Sequence, residues 1–417
     1  MPDMIHYKKC LLSLFMASVV LLSLSGCNTD KYASLPDEYV AETDYPSGFL
    51  ATYNRFPIAP GEGGYYFTMG DFLFFMDGES KEIAPVCSRP DCRHENESDQ
   101  NLVWKCNAHV GTFHSKFLQV YEGNLYCLSS GGQGEDGKLD ISASSRLLKV
   151  ALDGTAHEFL CPMPQNLEFT AIHRGYLYYA YYSADGSTLG VYRKKMTQLD
   201  EEAEAVLEMS KTTLGSILLL GSHLYMDCST DSEIGVLYDV DLNSKEISRI
   251  EGQYGLVGVY QNNLLLMEAG SEEESIFGVY DRKTDTYTRR FTVPSHDETF
   301  ASPEYASDGT YLYQFRRPVN FWDYMGTEAY DPDIGNLTMA VYDMEGNQID
   351  RVDLPNLPAS ISFAPGDEEY GFFWYEKIHD EEQPLCMDLL KKKDGFQSEN
   401  IFRRCYAELR PGLMYTE

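Results

Sequence analysis

The amino-acid sequence predicts an all-β protein, and three observations lead to this prediction. From Gly64 onward the chain consists of short runs rich in Tyr, Phe, Leu, Ile and Val, separated by Gly, Asp and Asn. Such runs are typical of strands joined by turns. No stretch has both the length and the period of an amphipathic helix. A turn followed by Leu-Tyr, or by an apolar equivalent, recurs along the chain.

The recurring turn-and-strand motif has seven copies, which begin at Gly70, Gly123, Gly175, Ser222, Asn262, Thr310 and Glu369. Successive copies are about 40 to 60 residues apart, the length of a four-stranded propeller blade. We therefore expect a single β-propeller over residues 64–417, with seven four-stranded blades and with six or eight as alternatives. Because the first copy supplies only three strands, residues 406–409 are expected to add the fourth and close the ring.

The N-terminal residues predict export. Lys8 and Lys9 precede an apolar run of 15 residues, 10–24, which is shorter than the roughly 20 residues that span a bilayer as a helix. Residues 1–26 are therefore predicted to be a signal peptide. The following Leu24-Ser25-Gly26-Cys27 resembles the lipobox of bacterial lipoproteins, and the resemblance implies that Cys27 carries a diacylglyceryl group. An ordinary signal peptide with an incidental cysteine is the alternative.

Residues 27–63 follow the predicted cleavage site. They are polar, contain four prolines and show no sustained period. We expect a flexible tether that holds the domain outside the cytoplasm, at the cell membrane, through the lipid on Cys27.

The charge balance restricts the partners. With 33 basic and 65 acidic side chains, the net charge is −32. Nucleic-acid binding depends on Lys and Arg neutralising phosphates, so we expect no nucleic-acid partner. A strongly negative surface also favours a soluble monomer.

The longest insertions are expected on one face. In a propeller, the loops between second and third strands and the loops between blades emerge together. The long segments 87–115, 129–144, 293–303, 316–335 and 377–384 are of these two kinds. Because long loops in compact domains are usually functional, this face is the predicted binding face.

The first insertion contains the pattern Cys87-x4-Cys92-x-His94-x11-Cys106-x2-His109. Three thiols with either His94 or His109 supply the four ligands of a tetrahedral zinc site. A four-ligand site is closed and therefore structural, so it would pin the loop. The alternatives are a disulfide, Cys92 to Cys106 or Cys87 to Cys106, as expected in an oxidising compartment, or unligated thiols.

The remaining thiols, Cys127, Cys161, Cys228, Cys386 and Cys405, stand singly in or beside strand runs. We expect them to be buried as small apolar side chains. A disulfide between Cys386 and Cys405 across the ring closure is the alternative.

The sixth predicted blade carries an insertion rich in aromatic and charged residues. Aromatic faces beside Arg and Asp suit a sugar ring or an anionic glycan, and packing of the loop onto the propeller is the alternative. The candidate ligand-binding residues are Arg316, Arg317, Phe321, Trp322 and Tyr324, with Trp104 on the same rim.

The Tyr-rich repeats resemble bacterial lipoproteins with TolB-like and lipoprotein-receptor-like propellers, of the uncharacterised kind found in anaerobic gut bacteria. The resemblance implies a cell-envelope binding or scaffold protein for a glycan, a peptide or an envelope protein. One alternative is a polysaccharide lyase or glycosidase that uses His94, His109, His296 or His379 with Arg316 or Arg317. Another is a sensor or assembly subunit. The sequence contains no complete catalytic motif.

Overall fold

The computed structural model describes residues 32, 35–49, 58–94, 105–111, 117–129, 132–133, 139–140, 145–164, 167–268, 273–295, 303–316, 337–354, 361–377, 382 and 384–405. Contacts divide the chain into Met1–Pro36 and Asp37–Glu417. The second unit contains seven four-stranded antiparallel sheets arranged as the blades of a propeller. The predicted fold class and blade number are confirmed.

Each blade is built from consecutive strands, numbered here in chain order. Blade one contains β1 (Ile58–Gly61), β2 (Gly64–Met69), β3 (Phe72–Asp77) and β4 (Ile83–Pro85); blade two contains β5 (Leu118–Tyr121), β6 (Asn124–Ser129), β9 (Arg146–Ala151) and β10 (His157–Pro162), with a hairpin of β7 (Gly132–Gln133) and β8 (Leu139–Asp140) between β6 and β9; blade three contains β11 (Leu167–His173), β12 (Tyr176–Tyr182), β13 (Thr188–Lys195) and β14 (Glu204–Ser210).

The other four blades repeat this arrangement. Blade four contains β15 (Thr212–Leu220), β16 (His223–Thr230), β17 (Val236–Asp241) and β18 (Ile247–Ile250); blade five contains β19 (Tyr254–Tyr260), β20 (Asn263–Glu268), β21 (Glu274–Asp281) and β22 (Thr286–Pro294); blade six contains β23 (Glu304–Ser307), β24 (Leu312–Arg316), β25 (Leu337–Tyr342) and β26 (Gln348–Leu354); blade seven contains β27 (Ser362–Ala364), β28 (Tyr370–Glu376), β29 (Pro384–Lys391) and β30 (Gln397–Cys405).

The strand order gives the ring two different faces. Connections between second and third strands and between blades emerge on one face, which we call the long-loop face. Turns between first and second strands and between third and fourth strands emerge on the other, the short-turn face. All five predicted insertions connect strands on the long-loop face, as expected.

Tight turns on the short-turn face follow from local chemistry. In blade three, Arg174 (φ 47°) and Gly175 (φ 80°) both adopt positive φ between β11 and β12. Two such residues form the two-residue hairpin turn whose twist matches paired strands. The recurring sequence motif marks this turn and the strand after it in blades two to seven.

In blade one the motif is displaced by one strand. Gly70 and Asp71 form the turn between β2 and β3, rather than the turn between β1 and β2. The missing strand is β1 (Ile58–Gly61), which lies inside the range predicted to be tether. The prediction that residues 406–409 complete blade one is therefore wrong, because β1 to β4 already fill it. Residues 406–409 lie outside the described residues.

The ring closes by side-chain packing instead of strand exchange. Phe67 and Phe74 of blade one pack their rings edge-on against Phe402 of blade seven, with centroids 5.8 and 5.0 Å apart. Tyr65 donates a hydrogen bond of 2.5 Å to Asp367 across the same seam. Because comparable apolar clusters join every other pair of neighbouring blades, the seam is packed like the rest of the ring.

Within the described residues, no helix has the length and apolarity needed to cross a membrane.

Candidate functional site

The Cys/His segment lies on the long-loop face, in the connection from β4 to β5. After β4 the chain continues along β3, since the Val86 amide donates to the Leu73 carbonyl at 3.0 Å. The returning part also follows β3: Leu73 donates to Ala108 at 2.7 Å, and Val110 donates to Asp71 at 2.9 Å. Both ends of the insertion are therefore fixed on the same strand of blade one.

A turn of blade two holds the two parts together. The Gly154 carbonyl accepts hydrogen bonds from the Ser88 amide at 3.1 Å, the Ser88 hydroxyl at 3.2 Å and the Asn107 side chain at 2.7 Å. Gly154 has a φ of 68°, and a Cβ there would lie 2.6 Å from the Cys87 nitrogen and the Val86 carbonyl carbon. Only glycine allows this approach.

Four of the predicted ligands come together. Donor atoms of Cys87, Cys92, His94 and Cys106 all lie within 4.8 Å of one another, and could hold a metal ion. The shortest of these contacts described is 3.6 Å, between Cys106 Sγ and His94 Nδ1. His94 adopts a φ of 55°, a conformation that costs energy for a residue other than glycine and is often found at functional sites.

The surroundings of the thiols differ. Burial raises the pKa of Cys87, but hydrogen bonds from the backbone of Arg89 and Asn107 and from the other two thiols outweigh it, so the net shift is downward. Burial raises the pKa of Cys106, and Cys92 and Cys87 raise it further. Mutual repulsion opposes full ionisation of three adjacent thiols, and a bound cation offsets that repulsion.

The donor set fits zinc. Three sulfurs and one imidazole are a common structural zinc set. Burial and the Arg404 guanidinium lower the pKa of His94, which favours the neutral imidazole that binds metals. The buried side of the group packs on the apolar cluster between blades one and seven, which includes Cys106 and Ala108 and contacts Cys87 and Cys92.

His109, the alternative fifth ligand, is not in this group. Its backbone pairs with Phe72, and the two rings meet edge-on with centroids 5.3 Å apart. Burial, with a smaller effect of His157, lowers the pKa of His109 to about 3. The described structure therefore assigns this neutral, buried imidazole to packing beneath the loop, and resolves the choice between the two histidines in favour of His94.

All the described cysteines are free thiols. Cys127, Cys161 and Cys228 are buried in the apolar clusters between blades, as predicted for small apolar side chains. Cys386 and Cys405 lie on adjacent strands, but each thiol contacts a backbone carbonyl, of Pro384 and Glu382 respectively. The alternative disulfide between them is not present.

The predicted ligand-binding residues are described only at the edge of the blade-six insertion. Arg316 ends β24, where its guanidinium donates to the Pro294 carbonyl at 2.7 Å and to the Gln314 side chain at 3.2 Å. It is thus fixed at the junction of blades five and six. The other candidates, Arg317, Phe321, Trp322, Tyr324 and Trp104, lie outside the described residues, as do His296 and His379.

A cleft of about 480 Å³ opens between blades four and five. Gly252 and Gln253, in the connection between these blades, place it on the long-loop face. Tyr254 and Tyr287 line it with ring centroids 4.7 Å apart. Glu268 is at its wall and accepts hydrogen bonds from the Tyr287 hydroxyl and from Arg289.

Sequence reasoning missed this cleft and the role of Gly154. Asp153-Gly154 is a turn signal, but nothing local shows that the turn contacts a neighbouring blade. The cleft residues come from three separate strands and one connection, so only the assembled ring brings them together.

The comparisons with known proteins support the fold. Prolyl oligopeptidase B from Galerina marginata matches 87% of this chain with a TM-score of 0.51 and 11% sequence identity. This chain spans about half of that protein, 51% of its length. TolB from Acinetobacter baumannii matches 83% of this chain and 78% of its own, with a TM-score of 0.39 and 12% identity. A putative 6-phosphogluconolactonase from Bacteroides fragilis matches 84% and 91%, with a TM-score of 0.45 and 11% identity. No protein-family model and no curated protein matches the sequence.

Proposed function

We propose that the protein is an extracytoplasmic, lipid-anchored propeller that binds a glycan or an envelope protein on its long-loop face and acts as a monomeric scaffold. The observation that carries this proposal is the convergence of all long connections, the Cys/His group and the 480 Å³ cleft on that one face. A rigid ring with variable loops on one side is the usual arrangement of a binding scaffold.

Zinc is the metal we propose for Cys87, Cys92, His94 and Cys106. Four protein ligands leave no open position, so the ion would be structural and would supply only cross-linking. It would join the two parts of the insertion beside the seam between blades one and seven. The loop between these ligands would then be held in one arrangement, and a preformed surface binds its partner at a lower entropy cost.

Glycan binding is favoured by the chemistry of the cleft. Tyr254 and Tyr287 supply aromatic surface, while Glu268 and Gln253 supply polar groups that can orient hydroxyls. The blade-six insertion, which contains Trp322, begins at the junction of blades five and six. We therefore propose that this insertion and the cleft contribute to one extended glycan-binding surface.

An array of bacterial cell-envelope glycans tests the binding. Trp322→Ala and Glu268→Gln are each expected to weaken binding several-fold. The matched control is Glu246→Gln, which makes the same change at an exposed carboxylate in a short turn of blade four and is expected to leave binding unchanged. Absence of any glycan signal from the intact protein would contradict the glycan assignment.

Mass spectrometry of protein extracted from native membranes tests the anchor. The N-terminal residue is expected to be Cys27, carrying a diacylglyceryl group. A mature chain that retains Met1, or begins after an unmodified Cys27, would contradict the anchor.

A further inference from the structure

A segment that the sequence predicted to be part of the tether crosses one mouth of the ring. We call residues 37–49 the N-terminal strap. Near its start, the Asp37 carboxylate accepts hydrogen bonds from the Ser222 amide at 2.6 Å and from Arg282 at 2.8 Å. These partners belong to short turns of blades four and five, so the strap begins on the short-turn face.

The middle of the strap is fixed to blade three. Arg174 donates to both carboxylate oxygens of Asp44, at 2.9 and 3.1 Å, and both side chains are buried. The Tyr45 amide donates to His173 Nδ1 at 3.2 Å, and His173 Nε2 lies 2.7 Å from the Gly221 carbonyl. A bidentate Arg–carboxylate pair is among the strongest and most specific side-chain contacts.

The end of the strap reaches the seam between blades seven and one. The Gly366 amide donates to the Gly48 carbonyl at 2.7 Å, and the Phe49 ring packs on Tyr65 and Phe372. The short 3-10 turn Ser47–Phe49 contacts both β1 and β19. These are the innermost strands of blades one and five, which stand on nearly opposite sides of the ring, so this turn lies in the mouth of the central channel.

The charges of the strap match its binding surface. Its acidic residues Asp37, Glu38 and Asp44 pair with Arg282, Lys283 and Arg174 on the short-turn face. In a chain with a net charge of −32, this local complementarity fixes one register for the strap.

We infer that the N-terminal strap closes the ring on the short-turn face and that an anchor at Cys27 therefore holds this face toward the membrane, with the long-loop face outward. The inference rests on the proposed lipid anchor. Access to the channel is then from the long-loop face, which is also the face turned toward partners outside the membrane.

The length of the tether enforces this orientation. Asp37 is ten residues after Cys27, and ten residues span at most about 35 Å. A compact domain of roughly 370 residues has a radius of gyration of about 21 Å, which corresponds to an outer radius of about 27 Å. A tether from the centre of the short-turn face would have to cover that radius and then a ring height of about 20 Å or more. It is too short to let the long-loop face meet the membrane.

Energy transfer from the acylated protein to vesicles tests the orientation. Ser232→Cys and Asn243→Cys place a fluorophore at exposed turns of the same blade, on the long-loop face and the short-turn face respectively. The vesicles are phosphatidylcholine with a headgroup-labelled acceptor lipid, and the labelled wild-type chain measures background from native thiols. We expect transfer from position 243 to exceed transfer from position 232 several-fold.

The outcomes separate the two proposals. Acylated protein that does not float with the vesicles would overturn the anchor and, with it, the orientation. Protein that floats but shows equal transfer from both positions, or more from position 232, would overturn the orientation alone.

Discussion

Lys392 and Asp308 form a buried ion pair between blades seven and six, with side chains 1% and 2% exposed. Lys392 also donates to the Asp367 carbonyl, and the Tyr313 hydroxyl donates to Asp308 at 2.7 Å. Burial lowers the pKa of Lys392, while Asp308 opposes that shift. An ion pair without solvent depends on both partners, because loss of one leaves the other charge uncompensated.

Removal of this ammonium should be strongly destabilising. Lys392→Met is expected to lower the free energy of unfolding by about 3–5 kcal/mol, because Asp308 would remain buried without its cation. Urea denaturation measures the loss. The neighbouring Lys393, whose pair with Glu369 is 64% and 51% exposed, provides the control: Lys393→Met is expected to leave the midpoint unchanged. Equal effects of the two substitutions would refute the role of the buried pair.

Asp227 joins blades four and five at the level of single hydrogen bonds. Its carboxylate accepts from the backbone amides of Ser216 and Leu256, at bulges in the first strands of the two blades. Burial raises the pKa of Asp227 to about 6, although these hydrogen bonds oppose the shift. Because the folded-state pKa exceeds the unfolded value, the stability contribution is present at low pH and is lost as pH rises from about 4 to about 6.

Substitution with asparagine should remove this pH dependence. Relative to wild type, Asp227→Asn is expected to gain about 2 kcal/mol of stability between about pH 4.5 and about pH 7, since the amide has no charge to bury. Unfolding curves of both proteins across this range give the difference. A constant difference would show that Asp227 does not titrate in the window.

At the residue scale, the sequence predicted ligands better than their supports. Three cysteines and a histidine within a short segment indicate their chemistry by residue type alone. The choice between His94 and His109 depends on which imidazole is drawn under the loop by the Phe72 contact, and no spacing rule contains that information. Asp227 and Lys392 act across blade interfaces, so neither has a local signature.

At the element scale, strands were predictable because their apolar runs and turn residues agree. Strand β1 (Ile58–Gly61) was missed because Pro57 and Pro60 and the surrounding glycines are typical of a loop. It forms nonetheless as the innermost strand, where Ile58 and Ala59 are buried between blades. Tertiary packing there outweighs local preference.

The turn between β9 and β10 offers an element-scale prediction. Gly154 and Gly186 have similar positive φ values, 68° and 71°, but a Cβ at Gly186 meets nothing within 4 Å. Both alanine variants are expected to lose about 1 kcal/mol through backbone strain. Gly154→Ala is expected to lose a further 1–3 kcal/mol, roughly the cost of overpacking, and to weaken zinc binding because Val86 and Cys87 must move.

Denaturation and a competition assay with a zinc chelator measure these two effects. Gly186→Ala serves as the matched control, and its zinc affinity is expected to equal that of wild type. Identical stability and affinity in the two variants would contradict the proposed clamp of blade two on the Cys/His loop.

At the scale of the whole molecule, the repeat predicted the ring but not its closure. Seven motif copies determine seven blades, whereas the displaced copy in blade one concealed β1 and suggested an exchange of terminal strands. The closed ring instead relies on aromatic packing between blades one and seven and on the N-terminal strap. The two faces follow from strand order alone, so the grouping of the long loops could be predicted without coordinates.

The central claim is that a zinc ion at Cys87, Cys92, His94 and Cys106 fixes the long-loop face beside the ring seam. Zinc X-ray absorption on full-length protein purified without chelator tests it most directly. We expect about one zinc per chain with three sulfurs at about 2.3 Å and one nitrogen at about 2.0 Å, and loss of this signal in Cys92→Ser. A zinc-free chain in which two of these three thiols form a disulfide would contradict the claim.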